Sequence, residues 1–181
     1  AASDVYKRQL KNNKKICDHI QIPLQSGSDS ILKLMNRKYD LKYFFDKIDM
    51  IRSVRPDISI TTDVIVGFPG ETEEMFLETM DTCKKINFSK IHAFPYSERK
   101  GTKASMMDGK VPESVKHERV KKLLELSDSL EKSYYDKFKG KKLDVLIEEV
   151  SESGSKGHTS NYLMVHTNKK LQKGEIYNLI V

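Results

Sequence analysis

The spacing of apolar residues changes along the first half of the chain. Residues 19–24, HIQIPL, alternate apolar with polar side chains and predict a β-strand. From residue 41 to residue 54 the apolar positions recur every three or four residues, which predicts a helix that Pro56 ends. Residues 58–66, ISITTDVIV, are rich in β-branched side chains and predict a strand buried on both faces. A third strand is predicted at 89–94, SKIHAF.

Helical segments separate these three strands. A turn at 25–28 precedes a short helix that Ser28 or Asp29 can cap. After a second turn at 67–70, acidic residues at the start of the next helix and lysines at its end complement the helix dipole. Repeated β–α units of this length favour parallel strands joined by right-handed crossovers, so we expect the α/β class.

The pattern changes after a loop at 97–112. A long helix is predicted from about Glu113 to Lys139, and Gly140 ends it. Residues 143–181 contain short strand-like runs separated by turn residues, which is typical of a small antiparallel β module. We therefore expect a domain boundary near residue 140. The helix positions predicted to be buried are Val120, Leu123, Leu124, Leu130, Tyr134 and Phe138.

The first nine residues, AASDVYKRQ, fit no pattern in the sequence around them. They resemble a translated sequencing adaptor more than natural protein. We expect residues 1–9 to be a non-native leader without functional information, and the first domain to cover residues 10–139.

Composition narrows the class of protein only a little. The 181 residues carry a formal net charge of +6, which is compatible with a polyanionic partner and equally with a solvated surface. No run approaches the roughly 18 apolar residues of a membrane span, and no signal peptide is visible, so a cytoplasmic location is expected. The two cysteines, Cys17 and Cys83, form neither a Cys-x-x-Cys pair nor a disulfide framework.

Three segments follow the predicted strands: PLQSGSD at 23–29, VGFPGET at 66–72 and FPYSERKGT at 94–102. The carboxyl ends of parallel strands meet at one edge of a sheet, where ligands bind. Glycines let backbone approach a ligand, helix-start amides hold anions, and Arg37 or Arg99 can supply a counter-charge. Each segment alone is equally compatible with a capped turn or a solvated loop. Their shared edge favours one ligand site. The sequence has no G-x-G-x-x-G motif and no Walker lysine, which argues against dinucleotide binding and nucleotide hydrolysis.

Asp63 is a carboxylate within an apolar strand, which is costly unless it has a partner. It either supports the site or anchors neighbouring backbone. The five histidines do not cluster in the sequence, and each is interpreted as structural.

Three motifs in order resemble the methylthiotransferase family of radical S-adenosylmethionine enzymes. They are HIQIPLQSGSDSILKLMNRKY at 19–39, TTDVIVGFPGETEEMF at 61–76 and FSKIHAFPYSERKGTKA at 88–104. Residues 140–181 resemble the family's terminal TRAM module, a small β-barrel that holds tRNA. The expected fold is therefore the C-terminal part of a radical-SAM partial (β/α) barrel, followed by a small antiparallel TRAM barrel.

The segments MNRKY, FSKIHAFPYS and KHERVKKL are most similar in sequence to the MtaB-type branch of the family. Enzymes of that branch add a methylthio group to carbon 2 of threonylcarbamoyladenosine beside the tRNA anticodon. Two alternatives stay open. One is a sister enzyme that modifies isopentenyladenosine in tRNA or an aspartate in a ribosomal protein. The other is a stand-alone RNA-binding module.

The resemblance implies an S-adenosylmethionine site at the strand ends. The turn at 67–71 would approach the adenosine, residues 62 and 63 would line the floor, and the segment from residue 25 to residue 37 would lie near the methionine or ribose. The implied cofactor-binding residues are Gln25, Ser26, Ser28, Arg37, Thr62, Asp63, Gly67, Phe68, Pro69, Gly70, Glu71 and Arg99.

The family's chemistry also requires two 4Fe–4S clusters held by thiolates. The Cys-x-x-x-Cys-x-x-Cys motif and the cysteines of the family's amino-terminal domain are absent, and neither Cys17 nor Cys83 matches a ligand position. The chain is therefore expected to be the back part of an enzyme, inactive alone, with the missing N-terminal half as its partner.

The resemblance to a TRAM module implies that tRNA is the other partner. Lysines near residue 140 and near residue 170 are candidate phosphate contacts, and Tyr162 is a candidate stacking surface for a base. The alternative is that the lysines are merely solvated and that Tyr162 lies in the barrel core. The candidate RNA-binding residues are Lys139, Lys141, Lys142, Tyr162, Lys169 and Lys170, with Lys173 beside them.

Overall fold

Two sheets with different topologies share one long helix. The computed structural model describes residues 2–13 and 15–181, with side chains from residue 7 onward. The helices are α1 Ala2–Asn12, α2 Asp29–Leu34, α3 Leu41–Val54, α4 Glu73–Ile86 and α5 Glu113–Asp136, with a short 3-10 helix at Lys103–Met106. The strands are β1 His19–Gln21, β2 Ser59–Val66, β3 Lys90–Pro95, β4 Lys142–Ser151, β5 Gly154–Thr159, β6 Met164–Thr167 and β7 Ile176–Ile180.

The first sheet is parallel, in the order β1-β2-β3, as the repeated β–α units predicted. Ile20 pairs with Ile60, and Thr62 pairs with Ile91. This parallel order agrees with the predicted α/β arrangement. All three strands therefore end at one edge, where the loops 23–29, 66–72 and 94–102 lie.

The two faces of this sheet differ in character. Ile60, Val64 and Val66 point into a core with the aromatic rings of α3 and α4 and are at most 1% exposed. The intervening positions Thr61 and Asp63 lie on the opposite face, which is polar. The core fixes the register of β2, and the side chains of the polar face are free to contact other groups.

Side-chain caps set the ends of the helices. Asp40 accepts a hydrogen bond from the Tyr43 amide at the start of α3, at 2.8 Å, and Thr72 caps α4 in the same way. The expected cap of α2 is different. Ser28 makes no side-chain cap bond, and Asp29 instead accepts from the Leu41 amide at 2.7 Å, which ties α2 to α3.

The first helix crosses the boundary expected after residue 9, and Arg55 holds its carboxyl end. The Arg55 guanidinium donates to the carbonyls of Leu10 at 2.6 Å and Asn13 at 2.9 Å, and to Asp18 Oδ1 at 2.8 Å. That residues 1–9 are a non-native leader stays a prediction.

Helix α5 runs along the outer edge of β3. Ser127 Oγ accepts from the Ile91 amide at 2.9 Å, and Lys90 pairs with Glu131 at 3.0 Å. Leu123, Tyr134 and Phe138 are buried as predicted. The expectation for Leu124 is wrong, since 44% of it is exposed. The helix turns polar residues towards the strand edge because unpaired backbone amides there need partners.

The second sheet is antiparallel, in the order β6-β5-β4-β7. Strand β5, with the sequence GSKGHT, was not predicted because it lacks apolar alternation. Its Gly157 lies against the backbone of Leu146 and Ile147, where any added Cβ would collide. A small core of Val145, Ile147 and neighbouring residues includes Tyr134 from the last turn of α5 and Phe138 just after that helix.

Polar contacts attach this module to the first sheet region. Ser160 donates to Asp18 Oδ2 at 2.8 Å, and Asn161 donates to the Tyr134 hydroxyl at 3.1 Å. The Tyr134 hydroxyl in turn donates to the Asp57 carbonyl at 2.7 Å. In the part of the chain that the structure describes, no helix is long and apolar enough to cross a membrane.

Candidate functional site

A cleft of about 530 Å³ opens at the carboxyl ends of β2 and β3. Its walls combine polar groups with apolar and aromatic surface, which suits a ligand with both characters. Three of the predicted site residues come together there. The cleft is lined by Gln25, Asp63, Ile65, Phe94, Pro95, Tyr96, Ser97, Arg99, Thr102 and Ala104.

Gln25 is fixed by both its backbone and its side chain. Its φ is 67°, a left-handed conformation that is uncommon for residues other than glycine. The amide donates to the Asp63 carbonyl at 2.9 Å, and the carbonyl accepts from the Ile65 amide at 2.8 Å. Arg37 donates to Gln25 Oε1 at 2.6 Å. Arg37 therefore supports the cleft through Gln25.

Asp63 has a side-chain partner on the neighbouring strand. Gln21 Nε2 lies 3.0 Å from both carboxylate oxygens of Asp63. The carboxylate thus anchors a side chain of β1. The sequence had left two roles open for Asp63, support of the site or anchoring of neighbouring backbone. Asp63 lies on the polar face of the sheet, half-buried and open to the cleft.

Ser26, Ser28 and Thr62 are buried away from the cleft. Ser26 Oγ lies 3.4 Å from Thr79 Oγ1, and it accepts from the Ser28 amide at 3.2 Å. Thr62 Oγ1 donates to the Ile22 carbonyl at 2.8 Å and accepts from the Leu24 amide at 2.9 Å. The Ser26 and Thr62 hydroxyls fasten the 23–29 loop to α4 and β2. The buried Ser28 hydroxyl has no hydrogen-bond partner among the described residues. Direct contact of these hydroxyls with a cofactor stays a prediction.

The turn at 67–71 is packed beneath the start of α5. Glu71 Oε1 accepts from the Gly67 amide at 2.9 Å and from Arg119 Nη1 at 2.6 Å. Burial raises the pKa of Glu71, opposed by the Gly67 amide and the Arg119 charge. Gly67, Phe68 and Pro69 are buried, whereas Gly70 is exposed.

Two cations of α5, which were not predicted from the sequence, contribute to the site. Arg119 also donates to Glu73 at 3.1 Å, and Lys116 donates to the Tyr96 carbonyl at 3.2 Å. Residues 116, 119 and 127 share one helix face with the predicted core position Leu123. That spacing was the available signal, because charged residues aligned with a buried stripe need internal partners.

The candidate RNA residues fall into separate places. Tyr162 is 61% exposed, so it does not lie in a core. Its ring stacks with those of His19 and His158, with centroids 4.8 Å and 4.5 Å away. This stack joins β1 to the antiparallel module.

The candidate lysines are exposed but form two groups. Lys139, Lys141 and Lys142 lie where β4 begins. The Lys169 carbonyl accepts from Ser155, which pairs with Val150 at the far end of β4. Eight residues of extended strand separate Lys142 from Val150, roughly 26 Å. Lys169 and Lys170 therefore form a different surface from the first group.

The cysteines do not fit an iron–sulfur cluster. Cys17 is exposed, whereas Cys83 is buried on α4, where burial raises the pKa of its thiol to about 12. Cluster ligation requires several converging thiolates. Within residues 2–13 and 15–181 there is no group of three or more histidine, cysteine or acidic side chains that could hold a metal ion.

Comparisons with known proteins agree with the motifs. The Radical SAM superfamily model matches residues 3–83. The chain is 44% identical over 161 residues to the Threonylcarbamoyladenosine tRNA methylthiotransferase MtaB of Bacillus subtilis, which covers 86% of this chain and 36% of that protein. It is 47% identical over 169 residues to the tRNA-2-methylthio-N(6)-dimethylallyladenosine synthase of Thermoanaerobacter sp., which covers 92% of this chain and 35% of that protein.

A third relative and one solved structure extend the comparison. The MtaB protein of Thermotoga maritima is 40% identical over 179 residues, covering 99% of this chain and 41% of its own length. The chain thus spans little more than a third of these relatives. The radical SAM enzyme coproporphyrinogen III oxidase (HemN) of Escherichia coli has a similar fold, with a TM-score of 0.53 and 18% identity over 62% of this chain and 27% of HemN. The chain belongs to the methylthiotransferase family of the radical SAM superfamily.

Proposed function

We propose that this chain is part of a tRNA-modifying methylthiotransferase that uses S-adenosylmethionine to add a methylthio group to carbon 2 of threonylcarbamoyladenosine. The observation that carries the proposal is the cleft at the strand ends, where Gln25, Asp63 and Arg99 meet apolar walls. It occurs in a chain that is 40% to 47% identical to named tRNA methylthiotransferases.

The cleft offers a group for each part of the cofactor. Ile65, Phe94 and Tyr96 provide apolar surface for the adenine ring. Asp63 can accept hydrogen bonds from ribose hydroxyls or from the amino group, and Arg99 can bind the carboxylate in bidentate fashion. S-adenosylmethionine, when bound and reduced, supplies the radical chemistry of this superfamily. The described residues bind and orient it.

The clusters require ligands beyond this chain's two cysteines. Cys83 is buried with a raised pKa, and Cys17 lies alone on the surface. The 181 residues are therefore inactive without the cysteine-bearing part of the enzyme, which is the partner that the family resemblance implies.

The choice of substrate rests on the amino-acid sequences of two motifs. Relatives named for threonylcarbamoyladenosine and for dimethylallyladenosine are 44% and 47% identical, so identity does not separate them. MNRKY at 35–39 and FPYSERKGT at 94–102 favour the first, and isopentenyladenosine (dimethylallyladenosine) in tRNA is the second candidate. The exposed lysines of the antiparallel module and its TRAM-like sequence support tRNA as the bound nucleic acid.

A pair of chimeric enzymes tests both parts of the proposal. Residues 15–181 replace the matching segment of the Bacillus subtilis MtaB in one chimera and of the Thermoanaerobacter synthase in the other. Each is expressed in a strain that lacks the corresponding enzyme, and tRNA nucleosides are measured by mass spectrometry. We expect the first chimera to restore 2-methylthio-threonylcarbamoyladenosine.

The controls are the intact parent enzymes and the front segment of each parent expressed alone, without the segment that residues 15–181 replace. Restoration of 2-methylthio-dimethylallyladenosine by the second chimera alone would transfer the proposal to that substrate. If both chimeras fold and neither modifies tRNA, the enzymatic proposal is wrong.

A further inference from the structure

Helix α5 reaches over the turn that follows β2 and over the start of the loop that follows β3, and the second of these lines the cleft. The buried side chain of Lys116, which is 7% exposed as a residue, extends from α5 across the turn that follows β2. Its stem packs on Gly67, where an added Cβ would collide with Lys116 Cγ. Its ammonium donates to the Tyr96 carbonyl at 3.2 Å and to Glu113 Oε1 at 2.7 Å. One side chain therefore joins the ends of β2 and β3 to α5.

Tyr96 is the part of the cleft wall that Lys116 holds. The Lys116 ammonium lies 5.6 Å from the centroid of the Tyr96 ring, and Phe68 contacts that ring edge-on at 5.1 Å. Within the described residues, the buried Tyr96 hydroxyl has no hydrogen-bond partner. The backbone of Tyr96 is thus held through its carbonyl, and its ring contacts the Lys116 ammonium and Phe68. Beyond Tyr96 the cleft wall continues to Arg99, which is exposed.

A buried ammonium is costly to desolvate, and an ordinary apolar side chain would fill the same space without that cost. What the lysine adds is a directed bond to the Tyr96 carbonyl at the start of the exposed loop 97–102. We infer that Lys116 is a positioning residue that holds the Tyr96–Arg99 wall of the cleft in its ligand-binding arrangement. The inference rests on the proposed function, because it assigns this residue a role in the cofactor site proposed there.

The test uses the 181-residue chain and three variants. Lys116→Met keeps most of the stem and removes the ammonium, Lys116→Arg keeps the cation, and Lys121→Met removes an exposed ammonium from the same helix as a matched control. The first readout needs no ligand. Trypsin cleavage after Arg99 and Lys100 reports how often the loop opens, with thermal unfolding measured in parallel.

We expect Lys116→Met to accelerate cleavage after Arg99 and Lys100 about tenfold, since a charge-assisted hydrogen bond at the root of the loop is lost. Cleavage at the other lysines and arginines that each variant retains should stay unchanged. Lys116→Arg should keep the loop protected, and Lys121→Met should match the unaltered chain at Arg99 and Lys100. Equal cleavage rates in Lys116→Met and the unaltered chain would overturn the inference. So would faster cleavage at all sites with a lowered Tm, which marks general destabilisation.

The second readout is binding of S-adenosylhomocysteine, followed by NMR titration. The Kd of Lys116→Met is expected to rise about tenfold, with the affinity recovered in Lys116→Arg, because pre-organisation of the wall is lost. Equal affinity in Lys116→Met would overturn the positioning role. Absence of binding to the unaltered chain would instead count against the cofactor cleft of the proposed function, and the trypsin result would still decide whether Lys116 holds the loop.

Discussion

Gly67 stands where β2 leaves the sheet, with a φ of +72°, and the stem of Lys116 lies against it. Alanine at this position meets two penalties, the left-handed backbone and the collision with Lys116. Gly101 has a φ of +83° but has no atom within 4 Å of an added Cβ. The two glycines therefore separate backbone strain from steric contact.

We expect Gly101→Ala to cost about 1 kcal/mol of unfolding free energy from backbone strain alone. Gly67→Ala should cost about 1–3 kcal/mol more, because the packed stem has to move. Urea unfolding of both variants measures the difference. Equal losses would show that the Lys116 stem moves aside freely, contrary to the packing described.

The buried pair of Glu71 and Arg119 leads to a pH-dependent prediction. Arg119→Met leaves the Glu71 carboxylate without its cation, and the unfolding free energy should fall by about 3–5 kcal/mol near neutral pH. Burial already raises the pKa of Glu71, and loss of Arg119 raises it further. A carboxyl with a raised folded-state pKa favours folding when protonated, and this contribution is lost as pH rises through that pKa.

The loss in Arg119→Met should therefore shrink as the pH is lowered from neutral towards the ordinary range of a carboxyl. Urea unfolding across this range measures it. The double variant Glu71→Gln with Arg119→Met is the control, because it carries no titrating group at this position. A loss in Arg119→Met that does not change with pH would contradict a charged, buried Glu71.

The residue scale also shows where reasoning from the sequence stops. Asp63 could be singled out because a carboxylate interrupts an apolar strand, and its partner Gln21 emerged only from strand pairing. Lys116 and Arg119 look like surface residues in a helix with many charges. Their spacing aligns them with Leu123 on the buried face of α5. Their partners depend on the turn at 67–71 folding beneath α5, which the sequence of the helix does not show.

At the scale of elements, α5 completes the edge of the parallel sheet. Ser127 is 2% exposed and accepts the amide hydrogen of Ile91, which has no neighbouring strand on that side among the described residues. A helix normally covers a sheet with apolar side chains. Here a hydroxyl stands in for a strand carbonyl at the edge.

Ser127→Ala should cost about 1–3 kcal/mol of unfolding free energy, because the Ile91 amide is left buried without an acceptor. Ser133→Ala on the exposed side of α5 is the matched control and should be nearly neutral. Urea unfolding measures both, and hydrogen exchange at Ile91 should become faster in Ser127→Ala alone. Unchanged exchange there would mean that another acceptor replaces the hydroxyl.

The elements themselves were largely readable from the sequence. Strands β1, β2 and β3 and the helices between them have strong spacing patterns and turn residues at their ends, so the parallel α/β arrangement followed. Strand β5 was missed because Gly157 is selected by close packing against β4, and glycine carries no strand signal. The second module has the antiparallel strands that were predicted, in one sheet with β6 and β7 at its edges in the described part of the chain. That this module is a TRAM barrel stays a prediction.

At the scale of the whole molecule, the antiparallel module is held to the parallel sheet by polar contacts. Ser160 reaches Asp18, Asn161 reaches Tyr134, and Tyr162 stacks with His19. Such residues are common in turns, so their docking role could not be predicted from local sequence. The docking sets where the two groups of candidate lysines lie relative to the cleft.

The two lysine groups lead to a prediction about RNA. Lys141 and Lys142 lie at one end of β4, whereas Lys169 and Lys170 lie beyond the other, so each group would meet different phosphates. Binding of a tRNA anticodon stem-loop is measured for the paired Lys→Gln variants over a range of salt concentrations. Each lost phosphate contact should reduce the slope of log K against log salt by about 0.7–0.9.

Because the groups are roughly 26 Å apart along β4, their effects should add in the fourfold variant. Lys84→Gln with Lys85→Gln at the end of α4 is the control, since those lysines lie on the parallel-sheet region and should leave the slope unchanged. A reduced slope for only one pair would place the RNA at that end of β4. An unchanged slope for both pairs would remove these lysines from the interface, and the RNA would then have to be held by other parts of the enzyme.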